Sequence, residues 1–151
     1  MLRSAHELVP VLAVLLFATL VGCSSPTQVL IPVYDACLTV ADCVATATLC
    51  EELRVEFGGF DYVNSVCTLY CEAEGPLSDD CPRAYVGLFG SCYPSSLAGG
   101  VDEALICFDP CFVDDDCQLG FRCLGADGLC GSGLGTCPID QNDAICVPGP
   151  E

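Results

Sequence analysis

The chain opens on a short polar stretch with Arg3, His6 and Glu7 and then runs through the apolar segment LVPVLAVLLFATLVG before turning polar again at Ser24. A charged start followed by an apolar run of this length is the layout of a secretory signal. A membrane-spanning helix needs about 20 apolar residues. This run is shorter, carries Pro10 near its start and has no basic residue behind it, so a removable signal over residues 1–22 is the better reading. Residues 23–36 contain two prolines and, after Cys23, no cysteine; they read as a flexible tether with a reach of about 40 Å. Further along, residues 44–57 predict a helix, with Asp42 placed to cap it and Gly58-Gly59 to end it. YVNSVCTLYC, EALICF and AICV alternate or are β-rich and predict short strands. PSSLAGG, GADG and GSGLG predict turns or loops.

These elements leave little to build a core with. Beyond residue 23 there are six phenylalanines, five tyrosines and no tryptophan, a thin apolar supply for which disulfides are the usual remedy in exported chains. The chain has 15 cysteines, an odd number, and Cys23 stands apart from the rest at the end of the apolar run. Leu20, Val21, Gly22 and Cys23 resemble the lipobox of bacterial lipoproteins. The resemblance implies a diacylglycerol on the Cys23 thiol, cleavage just before it, and anchoring in the membrane through that covalent lipid. Two or more acyl chains meet the requirement for stable anchoring. Ser24 is compatible, in that family, with transfer to the outer membrane.

With Cys23 set aside as the lipidation site, an even set remains, expected as disulfides in an oxidising compartment. The set falls into a repeat. Cys37, Cys43, Cys50 and Cys67 make a first unit over 37–67; Cys71, Cys81, Cys92 and Cys107 make a second over 71–107. Cys111, Cys117, Cys123 and Cys130 make a third over 111–130, and Cys137 and Cys146, in a C-terminal extension over 131–151, pair most simply with each other. Three residues separate each of the first two units from the next, in CTLYC and CFDPC. If every unit closes on itself, each admits three pairings; pairing across the three-residue junctions is the competitor. Four thiolates also suffice for zinc, but no C-x-x-C pair occurs, and disulfides are the expectation.

An aspartate precedes the second cysteine of every unit: Asp42, Asp80 and Asp116. Its expected role is to accept hydrogen bonds from nearby backbone N–H groups and so fix the turn that aims that cysteine. The alternative is cation binding, with Asp114, Asp115 and Asp116 as the weak calcium candidates; DDDCQLG lacks the alternating acidic pattern of a helix-loop-helix calcium loop. No other metal or cofactor is expected.

Charge and composition exclude further classes. The net charge is −17; past residue 23 the only cations are Arg54, Arg83 and Arg122, with no lysine, so no nucleic-acid partner is expected. The single histidine, His6, lies in the segment expected to be removed. That argues against Ser-His-Asp and Cys-His catalysis and His-ligated zinc, and the protein is expected not to be an enzyme.

The third unit, in which DDDC is followed by QLGFRC, resembles the C-x-x-D-x-D-C-x-x-G-x-x-C units of cysteine-rich lipoproteins of myxobacteria and related bacteria. It is similar also to the N-terminal cysteine-rich domain of Dickkopf proteins and, more loosely, to whey-acidic-protein inhibitor domains, whose adjacent Cys-Cys pair is missing here. The reading is a small disulfide-rich fold: tandem cysteine-stapled modules with short β-strands, one short helix and long loops. The expected function is that of a non-enzymatic, lipid-anchored cell-envelope protein, a binding, adhesion or structural module for a protein or polysaccharide partner. The alternatives are a small protease inhibitor, with Arg83 or Tyr85 of PRAYVGLFG as the docking side chain, and a calcium-binding surface module.

Overall fold

The computed structural model describes residues 32–84, 86–100, 103–130 and 137–150. The expected signal segment, Cys23, the tether up to residue 31, Tyr85 and the GSGLG loop lie outside the described residues.

The structure is built from three antiparallel hairpins: β1 (Leu49–Phe57) with β2 (Phe60–Thr68), β3 (Ser91–Pro94) with β4 (Leu105–Phe108), and β5 (Phe121–Gly125) with β6 (Ala144–Pro148). The strands expected from YVNSVCTLYC, EALICF and AICV form as β2, β4 and β6. The helix expected over 44–57 does not: most of that stretch is β1. Its apolar residues Leu53, Val55 and Phe57 alternate with Glu52, Arg54 and Glu56, the period of a half-buried strand, and Leu53 is 1% exposed. The glycine pair that looked like a helix stop is a two-residue hairpin turn. Gly58 and Gly59 have φ of 60° and 84°, the doubly left-handed backbone that hairpin twist favours and that glycine adopts without strain. The one α-helix among the described residues is α1 (Ala126–Cys130), where GADG was expected to make a loop. It is a single turn, tied at its end by Cys130.

All seven bridges join described residues, with Cα separations of 5.5 to 6.0 Å. The first two units close on themselves, first cysteine to third and second to fourth: Cys37 with Cys50 and Cys43 with Cys67, then Cys71 with Cys92 and Cys81 with Cys107. The third departs from expectation. Cys111 pairs with Cys123, but Cys117 takes Cys146, and Cys130 pairs with Cys137. The expected Cys137 to Cys146 pair is therefore not formed. The reason is register: the third and fourth cysteines of a unit stand opposite each other on its hairpin, as Cys50 and Cys67, Cys92 and Cys107, and Cys123 and Cys146. Cys130 lies at the end of α1, past β5, and cannot occupy that place.

The repeat extends to the backbone. In each unit the N–H of the first cysteine donates to the carbonyl two residues before the fourth: Cys37 to Ser65, Cys71 to Leu105, Cys111 to Ala144, at 2.9 to 3.1 Å. In return the fourth cysteine donates to the carbonyl two residues before the first: Cys67 to Asp35, Cys107 to Leu69, Cys146 to Asp109. A short leader thus pairs beside β2, β4 and β6 and covers an edge that would otherwise be open. For the second and third units, that leader is the three-residue junction itself.

The modules share a core. Val66, Ile106 and Ile145, each just before a fourth cysteine, are 6%, 1% and 0% exposed and belong to one apolar cluster with Leu53, Tyr93, Phe108, Phe121 and Val147. Among the described residues no bridge passes between modules, so noncovalent contacts join them. The Tyr34 hydroxyl donates to Pro82 O at 3.0 Å. Gln118 Oε1 accepts from Ala36 N–H at 2.8 Å, and its Nε2 donates to Tyr34 O. The Tyr93 hydroxyl donates to Asp143 Oδ2 at 2.9 Å. Tyr34 fits only because residue 90 is glycine: a Cβ there would stand 2.0 Å from the tyrosine oxygen.

Candidate functional site

The recurring aspartates do what the spacing suggested. Asp42 Oδ2 accepts from the N–H groups of Leu38 and Thr39, at 3.3 and 2.8 Å. Asp116 Oδ2 accepts from Phe112 and Val113, at 2.8 and 3.1 Å. In the second module, across a longer loop, Asp80 Oδ2 accepts from Glu72 N–H at 3.2 Å. In all three modules the carboxylate holds the N–H of the residue that follows the first cysteine. A short 3-10 turn, Val40–Asp42 in the first module and Asp114–Asp116 in the third, then delivers the second cysteine.

The clamp and the bridges together fix what these loops display. Leu38 is 92% exposed and Phe112 75% exposed, and the two occupy the same place in their modules. Val40 and Val113 beside them are exposed as well. Sequence reasoning followed the cysteines and aspartates and passed over these apolar neighbours. The signal was present in CLTV and CFVD: apolar residues on a loop whose backbone is fully committed have no inward direction left.

Within the candidate calcium trio, Asp116 is the clamp. Asp114 Oδ2 accepts from Arg122 at 2.8 Å and its Oδ1 from Cys123 N–H at 3.0 Å; these bonds hold its carboxyl below the ordinary carboxylate value. Asp115 and Asp116 line an acidic depression of about 390 Å³ with Asp35, Asp109 and Gln118, where burial pushes the Asp35 carboxyl up. The three carboxylates are thus divided among a backbone clamp, an ion pair and this depression. Arg122 also lies over the Phe57 ring, 5.3 Å from its centre, joining the tip of the first hairpin to the third module.

The sulfurs crowd closely, with Cys37, Cys43 and Cys67 within 4.8 Å of one another and matching trios in the other modules. The crowding is that of two bridges side by side, whose sulfurs are bonded in pairs. In the PRAYVGLFG loop the chain folds on itself: Arg83 pairs with Phe89, its guanidinium lies 4.4 Å from that ring centre and donates to Gly87 O at 2.7 Å. An arginine tied back in this way does not project as a docking side chain.

A second depression, of about 230 Å³, lies between the second and third modules. Its walls are Pro76, Leu77, Leu88, Pro110 and Phe112, and its rim carries Asp140, Asn142 and Asp143. Leu77, 48% exposed, is held at φ 49°, a left-handed conformation that is uncommon for residues other than glycine. No family model, curated protein or solved structure matches the chain.

Proposed function

We propose that this is a non-enzymatic, lipid-anchored cell-envelope protein, attached to the membrane through Cys23, whose stapled modules present rigid loops to a partner outside the cell. The observation that carries the reading is the display of apolar side chains on immobilised loops. Leu38, Val40, Phe112 and Val113 stand in solvent on backbone fixed at both ends by bridges and in the middle by an aspartate. Burying such side chains on a partner recovers hydrophobic free energy, and a loop already rigid loses little entropy on binding. The bridges support an oxidising compartment, and the sequence around Cys23 supports the anchor. The strong negative charge favours a neutral or cationic partner over nucleic acid or an anionic lipid surface.

The test has two parts. Intact mass and non-reduced peptide mapping of protein purified from membranes should show a chain beginning at an acylated Cys23 with its other cysteines bridged. Cross-linking on intact cells should then capture a partner. An unacylated chain would remove the anchor from the reading, and a protein that cross-links to nothing on its native cells would remove the partner.

A further inference from the structure

We propose that the groove between the second and third modules docks an extended segment of a partner protein in which an apolar side chain stands beside lysine or arginine. This rests on the binding reading above and names the face and the chemistry.

Size comes first. At about 230 Å³ the groove falls below the roughly 300 Å³ at which small-molecule sites begin. It suits a single large apolar side chain, the anchor-in-pocket arrangement of protein interfaces. The walls agree: Leu77, Leu88, Phe112 and two prolines supply apolar surface with no internal groove-facing donor from their side chains.

Charge then chooses the neighbour of that anchor. The rim groups Asp140 and Asp143 are carboxylates, in a chain of net charge −17. Asp143 accepts from the Tyr93 hydroxyl and from Ala144 N–H. Asp140 accepts from Asn142. No lysine or arginine lines the groove, so the field at its mouth is that of the carboxylates. A cation next to the anchor gains there, and an anionic segment is repelled.

The third observation is conformational. Leu77 keeps a left-handed backbone at the rim while leaving its side chain in solvent. Such conformations persist where the surrounding structure fixes them, and they concentrate at ligand clamps. Phe112, in the same lining, sits on backbone fixed by Asp116 and by the Cys111 bridge. Two exposed apolar side chains, one from each module, thus line the same groove.

The experiment is fluorescence anisotropy of labelled seven-residue peptides against the full-length oxidised protein. The probe is Gly-Lys-Phe-Lys-Leu-Lys-Gly; one control replaces its lysines by glutamate and another its Phe and Leu by serine. The probe should bind saturably and both controls about tenfold or more weaker. Phe112→Ser and Leu77→Ser should each weaken the probe about tenfold. Asp140→Asn should weaken it about threefold and flatten its salt dependence. Leu119→Ser, which alters an exposed leucine outside the groove, should leave it unchanged. Non-reduced peptide maps identical to wild type establish that the variants are folded.

No saturable binding, or binding indifferent to both Phe112→Ser and Leu77→Ser, overturns the groove assignment. Cross-linking on cells separates this from failure of the broader reading. If wild type and Phe112→Ser capture the same partner equally, the groove is wrong and the binding role stands. If wild type captures none, the role itself falls.

Discussion

The first and third modules repeat the same bond pattern around very different hairpins. Both have the first-to-third and second-to-fourth bridges, the leader paired beside the last strand, and an aspartate clamp of two N–H bonds. Yet the first closes its hairpin with two glycines, whereas the third inserts residues 126–143 with a helix and a bridge of its own. The difference teaches that the unit is defined by what happens at the cysteines, not by the length of chain between them. Loop closure costs only about 0.6 kcal/mol per doubling of loop length. An insertion at the hairpin tip is therefore cheap, while a shift of one residue at a cysteine would misalign the bridges of its unit.

The comparison can be broken first at the bridges. Replacing Cys117 and Cys146 together by serine opens a bridge with separation 29 and should cost about 4 kcal/mol, whereas the same change at Cys130 and Cys137, separation 7, should cost about 2.5 kcal/mol. Denaturant unfolding measures both. Equal losses would mean that the insertion's bridge is as central to the third module as its own pair.

The next question is whether the modules stand alone. Leu53→Ala removes a fully buried side chain of the first module from the shared core and should cost about 3 kcal/mol. Calorimetry should show a single transition that moves as a whole. A separate early transition would show three independent units instead.

The clamps allow a finer test. Asp42→Ala and Asp116→Ala each free two N–H groups and should cost about 1 to 2 kcal/mol. Asp80→Ala, with a single N–H bond in its clamp, should cost about 0.5 kcal/mol. A second-module loss as large as the other two would show that bond count is not what distinguishes them.

Two pH effects are the smallest. Burial, with the Asp109 carboxylate nearby, raises the Tyr34 hydroxyl above its ordinary 10.0. Its contribution is present below that value and is lost as pH rises through the folded value. Tyr34→Phe should remove that part of the alkaline loss, as followed by circular dichroism. Asp114 has the opposite sign, because its folded value is lowered, first by the hydrogen bond from Arg122. Its contribution is present above the ordinary carboxylate value and is lost as pH falls through the folded one. Asp114→Asn should flatten the acid limb of stability below the ordinary carboxylate value.

The parts of this architecture legible in the sequence were those fixed by local chemistry. The aspartate before each second cysteine and the β-rich runs of β2, β4 and β6 depend on neighbours a few residues away, and they could be read from one line of residues. The first hairpin could not be read so easily, since Gly58-Gly59 serves equally to end a helix or reverse a strand and the choice is made by packing of Leu53 in the core. The pairing of Cys117 with Cys146 was hidden for a related reason: the fourth position is defined by standing opposite Cys123 across a sheet, and spacing carries no record of that. The groove was less legible still, because Leu77 and Phe112 lie far apart in the chain and line one depression only when two modules dock.

The absence of any bridge between modules has a consequence in time. As the chain emerges from its amino end, Cys37, Cys43, Cys50 and Cys67 are all present before Cys71 appears, and the second set is complete before Cys111. Each set can therefore oxidise before the cysteines of the next one appear. In the third, Cys130 and Cys137 appear after Cys117 but before its partner Cys146, so early closure of that short loop would remove two wrong partners for Cys117. If the small extra bridge closes first, it would act as a place-holder in the order of assembly, leaving the last long-range pairing open for the one cysteine that completes the hairpin.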